Sequence, residues 1–367
     1  MMTDPRLSKL AQLLVHYSTE VKPGELVQIS GSTYSKPLLR EVYREVVRAG
    51  GYPVVRMQFA DQDFVFYSNA SDAQLDHENQ FALYDAENFD VYICVFPDAN
   101  PHVLTSIDAT KKQRVFRANK RIAETFTKRW GDGKLRWVGT TCPTQALAQE
   151  AHMSFDEFSE FVFDCGNLND LDPVSYWKQY SAEQQKICNR LNECQTIRYV
   201  GLDTDLKFSC KGRTWMNCDG HVNFPDGEVF TGPIEDSVEG TIRFTYPGIF
   251  YGQEIEDIFL RFEKGKVIEA RAAKGQDLLH KLLETDQGSS YIGEVAIGTN
   301  ENIKRFTKNM LFDEKMGGTI HLAVGNGIPT TGSKNISAIH WDMLKDMRKG
   351  GEIHADGRLI YRDGKFV

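Results

Sequence analysis

Three segments in the last third of the chain alternate like strands and carry acidic or imidazole side chains on one face only. The segments are Tyr291–Gly298, Thr319–Gly325 and Ser337–Met343. Because successive side chains of a strand point to opposite faces, each segment has one apolar face and one face with a carboxylate or an imidazole beside an alanine. The pattern predicts a sheet that is apolar on one side and holds a cluster of polar groups on the other.

The small neighbours of these polar groups leave room for a divalent metal ion, or for a pair of them. The polar faces are predicted to be Ile292, Glu294 and Ala296 in the first segment, Thr319, His321 and Ala323 in the second, and Ala338, His340 and Asp342 in the third. A single acid or histidine on a half-buried strand is usually a solvated or hydrogen-bonded side chain. The repetition of the pattern on three strands favours a shared site.

Two further acids stand beside sharp turns of the chain. Glu228 follows the turn residues of Pro225–Gly227, and Glu314 stands just before the glycine pair Gly317–Gly318, which lets the backbone bend. The candidate metal ligands are therefore Glu228, Glu294, Glu314, His321, His340 and Asp342.

The ligand set predicts a pair of metal ions. Carboxylates and imidazoles suit zinc, cobalt or manganese, and the absence of cysteine from the set argues against a structural thiolate zinc site. Six ligands exceed the needs of one tetrahedral ion and suit two divalent ions about 3.5–4 Å apart that share a carboxylate. We take Glu294 as the candidate for that bridging carboxylate. Such pairs catalyse amide hydrolysis, including the removal of N-terminal residues.

Length and composition are those of a soluble globular protein with two domains. The chain has 367 residues, of which 41% are hydrophobic and 26% are charged, and its net charge is −8. The acidic balance disfavours a nucleic-acid partner. The basic cluster within Lys111–Arg121 is interpreted as a solvated helix face. No apolar run approaches the roughly 20 residues that span a membrane.

The cysteines and the N-terminus both predict a cytoplasmic protein. Seven cysteines are scattered without C-x-x-C spacing, which is typical of reduced thiols. Asp4 and Pro5 are suited to be the cap and first residue of an amphipathic helix, and the segment lacks the features of a signal peptide.

The first half of the chain alternates strands and helices, which indicates a mostly parallel sheet covered by helices on both faces. The expected strands are Glu25–Ser30, Pro53–Phe59, Val91–Phe96 and Leu135–Thr140. A helix is predicted from Pro37 to Gly50. The loop after the first strand is not G-x-G-x-x-G, so we expect no nucleotide.

A long helix from Asp172 towards Leu191 is expected to close the first domain, so that domains are predicted at residues 1–194 and 195–367. Beyond it the pattern changes to short strands with tight turns, including a hairpin at Glu263–Lys266 and one helix, Gln276–Glu284. The fold class is α/β: an N-terminal mostly parallel sheet flanked by helices, and a C-terminal α+β domain rich in antiparallel strands that carries the metal site.

Long strings of the second half are similar to a known family. They are Gly212–Gly240, Tyr291–Asn300, Arg305–Gly325 and Ser337–Met343. Through them the chain resembles the bacterial metalloaminopeptidase family of aminopeptidase T and aminopeptidase S, the leucyl aminopeptidases of thermophilic type. The resemblance implies that the same six residues hold two divalent ions and that peptides lose their N-terminal residues there. It also implies a homodimer whose active sites open onto an internal cavity.

One position departs from the family pattern. Seven residues after the histidine that matches His321, the family usually has a tyrosine in a G-x-x-Y-P string, which is thought to help stabilise the tetrahedral intermediate. Here that position is Ile328, which can neither donate a hydrogen bond nor move a proton. Loss of one such donor typically costs about 100- to 1,000-fold in turnover. Arg213 and Tyr291 are the candidates for a replacement.

The sequence therefore predicts a cytoplasmic metalloaminopeptidase with peptide substrates, in which Glu228 and Glu294 are the candidate catalytic residues. Two alternatives stay open because of Ile328. One is a metallohydrolase that acts on small amino-acid amides or conjugates. The other is a metal-binding homologue with weak or no catalysis, retained for binding or dimerisation.

Overall fold

A computed structural model describes residues 4–96, 100–250 and 252–367 of the chain. The chain divides into two compact units, Met1–Lys178 with Gly220–Pro225, and Gln179–Asp219 with Asp226–Val367. The predicted fold class is confirmed, with a parallel sheet flanked by helices followed by a region of antiparallel sheets. The domain boundary after residue 194 stays a prediction.

The helices and strands follow one another along the described residues. The helices are α1 (Pro5–Leu13), α2 (Lys36–Arg48), α3 (Gln62–Asn69), α4 (Asp72–Leu75), α5 (Gln80–Asn88), α6 (Ala109–Ala118), α7 (Lys120–Gly131), α8 (Gln145–Glu150), α9 (Phe155–Cys165), α10 (Pro173–Asn192), α11 (Gln276–Leu283) and α12 (Met310–Asp313). Short π and 3-10 segments are Leu14–Ser18, Thr33–Ser35 and Pro329–Thr331. The strands are β1 (Leu26–Ser32), β2 (Tyr52–Gln58), β3 (Val91–Val95), β4 (Arg136–Thr140), β5 (Thr196–Gly201), β6 (Thr204–Ser209), β7 (Met216–Cys218), β8 (Asn223–Phe224), β9 (Glu228–Thr231), β10 (Glu239–Arg243), β11 (Gly248–Phe250), β12 (Gln253–Ile255), β13 (Phe259–Glu263), β14 (Lys266–Arg271), β15 (Ile292–Gly298), β16 (Thr319–Gly325), β17 (His340–Asp346), β18 (Glu352–Ala355), β19 (Arg358–Arg362) and β20 (Lys365–Phe366).

The first unit is built on a parallel sheet of five strands in the order β2-β1-β3-β4-β8. Its four longer strands and the helix α2 correspond to the strands and the helix expected from the alternating pattern. Helix α1 begins as predicted, because the Asp4 side chain accepts a hydrogen bond from the backbone N–H of Arg6 and Pro5 occupies the first turn.

Besides the two-stranded sheet β11-β12, the second unit contains two larger antiparallel sheets. One has eight strands in the order β14-β13-β10-β6-β5-β18-β19-β20, and the other has five in the order β17-β16-β15-β9-β7. The predicted hairpin is β13–β14, and the predicted helix is α11. Buried apolar side chains from both sheets form one core cluster, so each sheet has an apolar face turned to that core.

The five-stranded sheet has the two-faced character that the alternation predicts, with one exception. Val295 and Ile297 of β15 lie in the core cluster, as do the alternate apolar residues of β16 and β17. A register shift between Ile292 and Glu294 moves Ile292 to the core side, where it pairs with Val324. The prediction that Ile292 shares a face with Glu294 is therefore wrong, since the bulge adds one residue to the alternation.

Two further expectations concern membrane-spanning helices and the state of the cysteines. Among the residues that the structure describes, none of the helices is long and apolar enough to span a bilayer. The seven cysteines are all free thiols.

Candidate metal centre

The five-stranded sheet aligns the predicted polar residues across neighbouring strands. Glu294 on β15 pairs with Ala323 on β16, and Ala323 pairs in turn with Asp342 on β17. His321 lies opposite Ala296. Opposite residues of an antiparallel pair share a face, so the alanines leave open space between the carboxylates and the imidazoles.

Glu228 begins β9 directly after a turn that is fixed against the end of β15. The side-chain amide of Asn300 donates to the carbonyl of Asp226 over 2.8 Å, and the N–H of Thr299 donates to the carbonyl of Gly227 over 2.8 Å. A side chain at Gly227 would not fit, because an added Cβ would lie 2.6 Å from Cβ of Asn300 and the residue has φ of 135°. The turn therefore delivers Glu228 to the same face as Glu294.

Glu314 directly follows the short helix α12, whose last residue is fixed by hydrogen bonds. Asp313 accepts hydrogen bonds from the N–H and the hydroxyl of Thr307, at 2.7 and 2.8 Å. Gly318, with φ of 86°, then makes the sharp turn into β16. This path returns the chain to the sheet and leaves the Glu314 carboxylate beside the cluster.

The structure brings all six predicted side chains together. Their ligand atoms form overlapping groups, each with its atoms within 4.8 Å of one another: Glu228–Glu294–His321, Glu294–His340–Asp342 and Glu314–His321–Asp342. The shared members show that the groups make up one cluster. That these residues bind metal stays a prediction.

Glu294 occupies the middle of the cluster. Its Oε1 lies 3.4 Å from Nε2 of His321, and its Oε2 lies 3.6 Å from Nε2 of His340. Each oxygen therefore faces a different imidazole, which is the arrangement expected of a carboxylate shared between two ions. Nε2 of His321 also lies 3.2 Å from Oε2 of Glu228, and Nε2 of His340 lies 3.6 Å from Oδ2 of Asp342.

Burial differs across the cluster and defines its accessible side. The side chains of Glu228, Glu294 and His321 are 7%, 6% and 1% exposed, whereas that of His340 is 32% exposed. A molecule in solvent can therefore reach the cluster from the side of His340.

Several buried polar atoms of the cluster have no hydrogen-bond partner. They are Oε2 of Glu228, both ring nitrogens of His321 and Oδ1 of Asp342. The 3.2 Å approach of His321 to Glu228 lacks hydrogen-bond alignment, so proximity alone does not satisfy either atom. Unsatisfied buried polar atoms are rare, and here they are all atoms that coordinate divalent cations. The residues therefore fit a metal centre.

His340 is oriented by a backbone carbonyl. Its Nδ1 lies 2.7 Å from the carbonyl oxygen of Asn326, which accepts the ring proton and leaves Nε2 with a lone pair towards Glu294 and Asp342. Ligating histidines in metalloproteins are usually fixed in this way. Asn326 has no marker in the sequence that distinguishes it from other loop residues.

The pKa values of the carboxyl groups differ across the cluster. Burial raises the pKa of Glu294, and it raises the pKa of Glu314 to about 8. Burial also opposes ionisation of Glu228, but the charge of Lys315 and the contacts with His321 outweigh it and lower that pKa to about 2. Bound divalent ions would favour the ionised form of every carboxylate in the set.

Lys315 is a member of the cluster that the sequence did not reveal. Its side chain is fully buried, and its ammonium donates to Oε1 of Glu228 at 3.3 Å and to Oε1 of Glu314. Asp226 lies 4.0 Å from the same ammonium. The ligand atoms of Cys218, Asp226 and Glu228 are within 4.8 Å of one another. A lysine beside a glutamate usually indicates a solvated turn, so no sequence signal distinguishes Lys315.

The candidates for replacing the missing tyrosine hydroxyl lie in other contacts. Arg213 pairs with Glu235 at 2.7 Å, and Tyr291 forms an isolated bridge with Lys266. Ile328 is partly buried and directly precedes the 3-10 helix Pro329–Thr331. The contacts described for these residues therefore give no support to either replacement.

Comparisons with known proteins show the family to which the chain belongs. A family model described as "Thermophilic metalloprotease (M29)" matches residues 3–366. Aminopeptidase AmpS of Bacillus subtilis is 27% identical over 417 residues, covering 99% of this chain and 98% of that protein. The chain belongs to the thermophilic metalloprotease (M29) family. Membership makes it a metal-dependent hydrolase of peptide bonds.

Two solved structures share the fold of this M29 family member. Wild-type AmpT from Thermus thermophilus superposes with a TM-score of 0.86 at 22% identity, covering 99% of both chains. The 2,5-dihydroxypyridine dioxygenase from Pseudomonas putida KT2440 superposes with a TM-score of 0.60 at 12% identity, covering 100% of this chain and 98% of that one. These likenesses concern the fold, so the chemistry has to be argued from the side chains.

We predict that His340→Ala loses divalent ions that the unaltered protein holds. The change removes Nε2 from the Glu294–His340–Asp342 group, so affinity should fall by more than the roughly 10- to 100-fold that loss of an outer-shell partner costs. Elemental analysis after gel filtration in zinc or manganese measures the retained ions.

His354→Ala is the matched control. His354 is also a strand histidine paired with a carboxylate, with Nε2 2.9 Å from Glu352, but it lies on β18 of the eight-stranded sheet. It should keep the full metal content. If His340→Ala retains as much metal as His354→Ala, His340 is not a ligand.

Proposed function

We propose that this chain is a cytoplasmic aminopeptidase that holds two divalent ions in the cluster and removes N-terminal residues from peptides. The observation that carries the proposal is the convergence of the six side chains, with unpaired buried donor atoms on three of them. Relatives named aminopeptidase, among them AmpS of Bacillus subtilis, support the same activity.

Charge favours two ions rather than one. The cluster and its surroundings contain five acidic side chains, Asp226, Glu228, Glu294, Glu314 and Asp342. Two divalent ions carry four positive charges and the Lys315 ammonium carries a fifth, which together equal the charge of five ionised carboxylates. A single ion and the ammonium would balance only three of the five ionised carboxylates, so the other two would have to take up protons.

The residues of the chain have separable roles in this proposal. Divalent ions held by such a set lower the pKa of water and polarise a carbonyl group. Glu294 faces both imidazoles and is positioned to be the shared carboxylate, while Glu228 presents Oε2 to the cluster. Both are candidates to hold the proton that hydrolysis transfers to the leaving amine.

The acidic character of the accessible side favours a free amine as the recognised group. His340 is the most exposed member of the cluster at 32%, followed by the carboxylates of Glu314 at 17% and Asp342 at 12%. Carboxylates at the entrance attract the cationic N-terminus of a peptide and repel a C-terminal carboxylate. This supports cleavage from the N-terminal end.

An oxygenase is disfavoured by the ligand types, although one solved structure with this fold is a dioxygenase. Non-haem iron oxygenases use two histidines and one carboxylate with open positions. In the groups described here, each imidazole meets two carboxylates. The carboxylate-rich set instead suits hydrolysis by hard divalent ions.

The cysteines bear on the proposed location, and the resemblance to a known family bears on the proposed assembly. Seven free cysteines fit a reducing compartment, which supports the cytoplasm. The resemblance to the aminopeptidase T and aminopeptidase S family supports a homodimer.

The first test of the function compares one peptide with a free and with an acetylated N-terminus. The metal-loaded protein should release residues one at a time from the free peptide and none from the acetylated one, because acetylation removes the amine. Mass spectrometry of timed samples measures the products, and treatment with a chelator should stop the reaction. Internal fragments, or equal cleavage of both peptides, would contradict the proposal.

The same assay separates the alternatives that Ile328 leaves open. Release of amino acids from aminoacyl amides or conjugates but not from peptides would indicate a hydrolase of small conjugates. Metal binding without cleavage of any substrate would indicate a binding protein.

A second prediction concerns Ile328 itself. Ile328→Tyr introduces the hydroxyl that the resemblance expects, and Ile328→Phe adds the ring without the hydroxyl. If a hydrogen-bond donor is missing here, the tyrosine variant should exceed the phenylalanine variant in kcat by up to about 100-fold with little change in KM. Equal kcat values in the two variants would show that no donor is needed at this position.

A further inference from the structure

Lys315 has an environment that is rare for a lysine. It is 0% exposed, and its ammonium is surrounded by acidic side chains of the metal centre. A second buried lysine among the described residues, Lys345, donates instead to the backbone carbonyls of Leu202 and Arg243, each at 3.0 Å. Lys315 is therefore distinguished by its carboxylate partners and not by burial alone.

The ammonium of Lys315 lies where a cation would be expected. It contacts Oε1 of Glu228 and Oε1 of Glu314, and it is 4.0 Å from Oδ1 of Asp226. Cys218, Asp226 and Glu228 offer three ligand atoms within 4.8 Å of one another, which is a spacing that suits a metal ion. The lysine thus supplies a positive charge at the edge of this group.

The contact with Lys315 also gives the two carboxylate oxygens of Glu228 different surroundings. Oε1 binds the ammonium at 3.3 Å, while Oε2 lies 3.2 Å from His321 and has no hydrogen-bond partner. One oxygen is therefore engaged and the other is directed into the cluster. The contact between Lys315 and Oε1 of Glu314 engages one oxygen of that carboxylate in the same way.

We propose that the Lys315 ammonium is a permanent cation of the metal centre, which occupies the place beside Cys218, Asp226 and Glu228 that a divalent ion would otherwise take. Lys315 is a positioning residue: it limits Glu228 and Glu314 to one free oxygen each and keeps the metal ions on the side of the two histidines. The inference rests on the proposed function, since it concerns the same metal centre.

The test replaces the lysine and counts cobalt ions. Lys315→Ala should bind one more Co²⁺ per chain than the unaltered protein, because the place of the ammonium becomes free. The added ion would touch Cys218, so a sulfur-to-cobalt charge-transfer band should appear in the near ultraviolet. The band should be absent from the unaltered protein and from the double variant Lys315→Ala/Cys218→Ser.

Lys345→Ala is the control for loss of a buried lysine, and it should show neither the extra ion nor the band. Lys315→Ser is a second variant whose hydroxyl can still donate to a carboxylate, and it should behave as Lys315→Ala does. Circular dichroism establishes that each variant is folded. A variant that folds only in the presence of cobalt and shows the band supports the inference as well.

The inference is overturned if folded Lys315→Ala and Lys315→Ser bind the same number of cobalt ions as the unaltered protein and show no thiolate band. It is equally overturned if neither variant folds with cobalt present, because a divalent ion then cannot replace the ammonium. Failure of the proposed function would look different: the unaltered protein would bind no cobalt in the cluster or would release no N-terminal residues.

Discussion

Mutual repulsion among buried carboxylates is the constraint on which the rest of the structure depends. Acidic groups from three strands, a turn and a helix end are held on one face of a sheet, where little water reaches them. Each buried charge without a partner costs several kcal/mol, so the arrangement is stable only with compensating positive charge. Lys315 supplies part of that charge from within the chain, and divalent ions are the natural source of the remainder.

Burial of the opposite, apolar face of the same sheet offsets part of this free-energy cost. Alternate residues of β15, β16 and β17 belong to the apolar core between the two larger antiparallel sheets. Burial of that face fixes the strands in register, and the register in turn fixes which polar side chains meet. The convergence of the polar side chains and the packing of the core are therefore two consequences of one alternating pattern. The same fold in a dioxygenase shows that the scaffold does not decide the chemistry, whereas the identity of the polar side chains does.

Strand periodicity was sufficient to predict which side chains of the candidate site share one face of the sheet. Glu294, His321 and Asp342 could be predicted because a period of two assigns them to one face, and Glu314 because a glycine pair follows it. Ile292 was assigned to the wrong face, since a bulge has no clear mark in a single sequence. Lys315 and Asn326 were missed, because a buried lysine and a carbonyl acceptor are recognised only by their surroundings. The return of Gly220–Pro225 to the first unit is likewise a matter of tertiary contact, which local patterns do not encode.

We propose above that the cluster binds two divalent ions. Anomalous diffraction at the cobalt absorption edge, from crystals of the cobalt-loaded protein, tests it most directly. The account predicts two peaks per chain inside the cluster, about 3.5–4 Å apart, with Glu294 in contact with both. A single peak, or cobalt bound only outside the cluster, would contradict it.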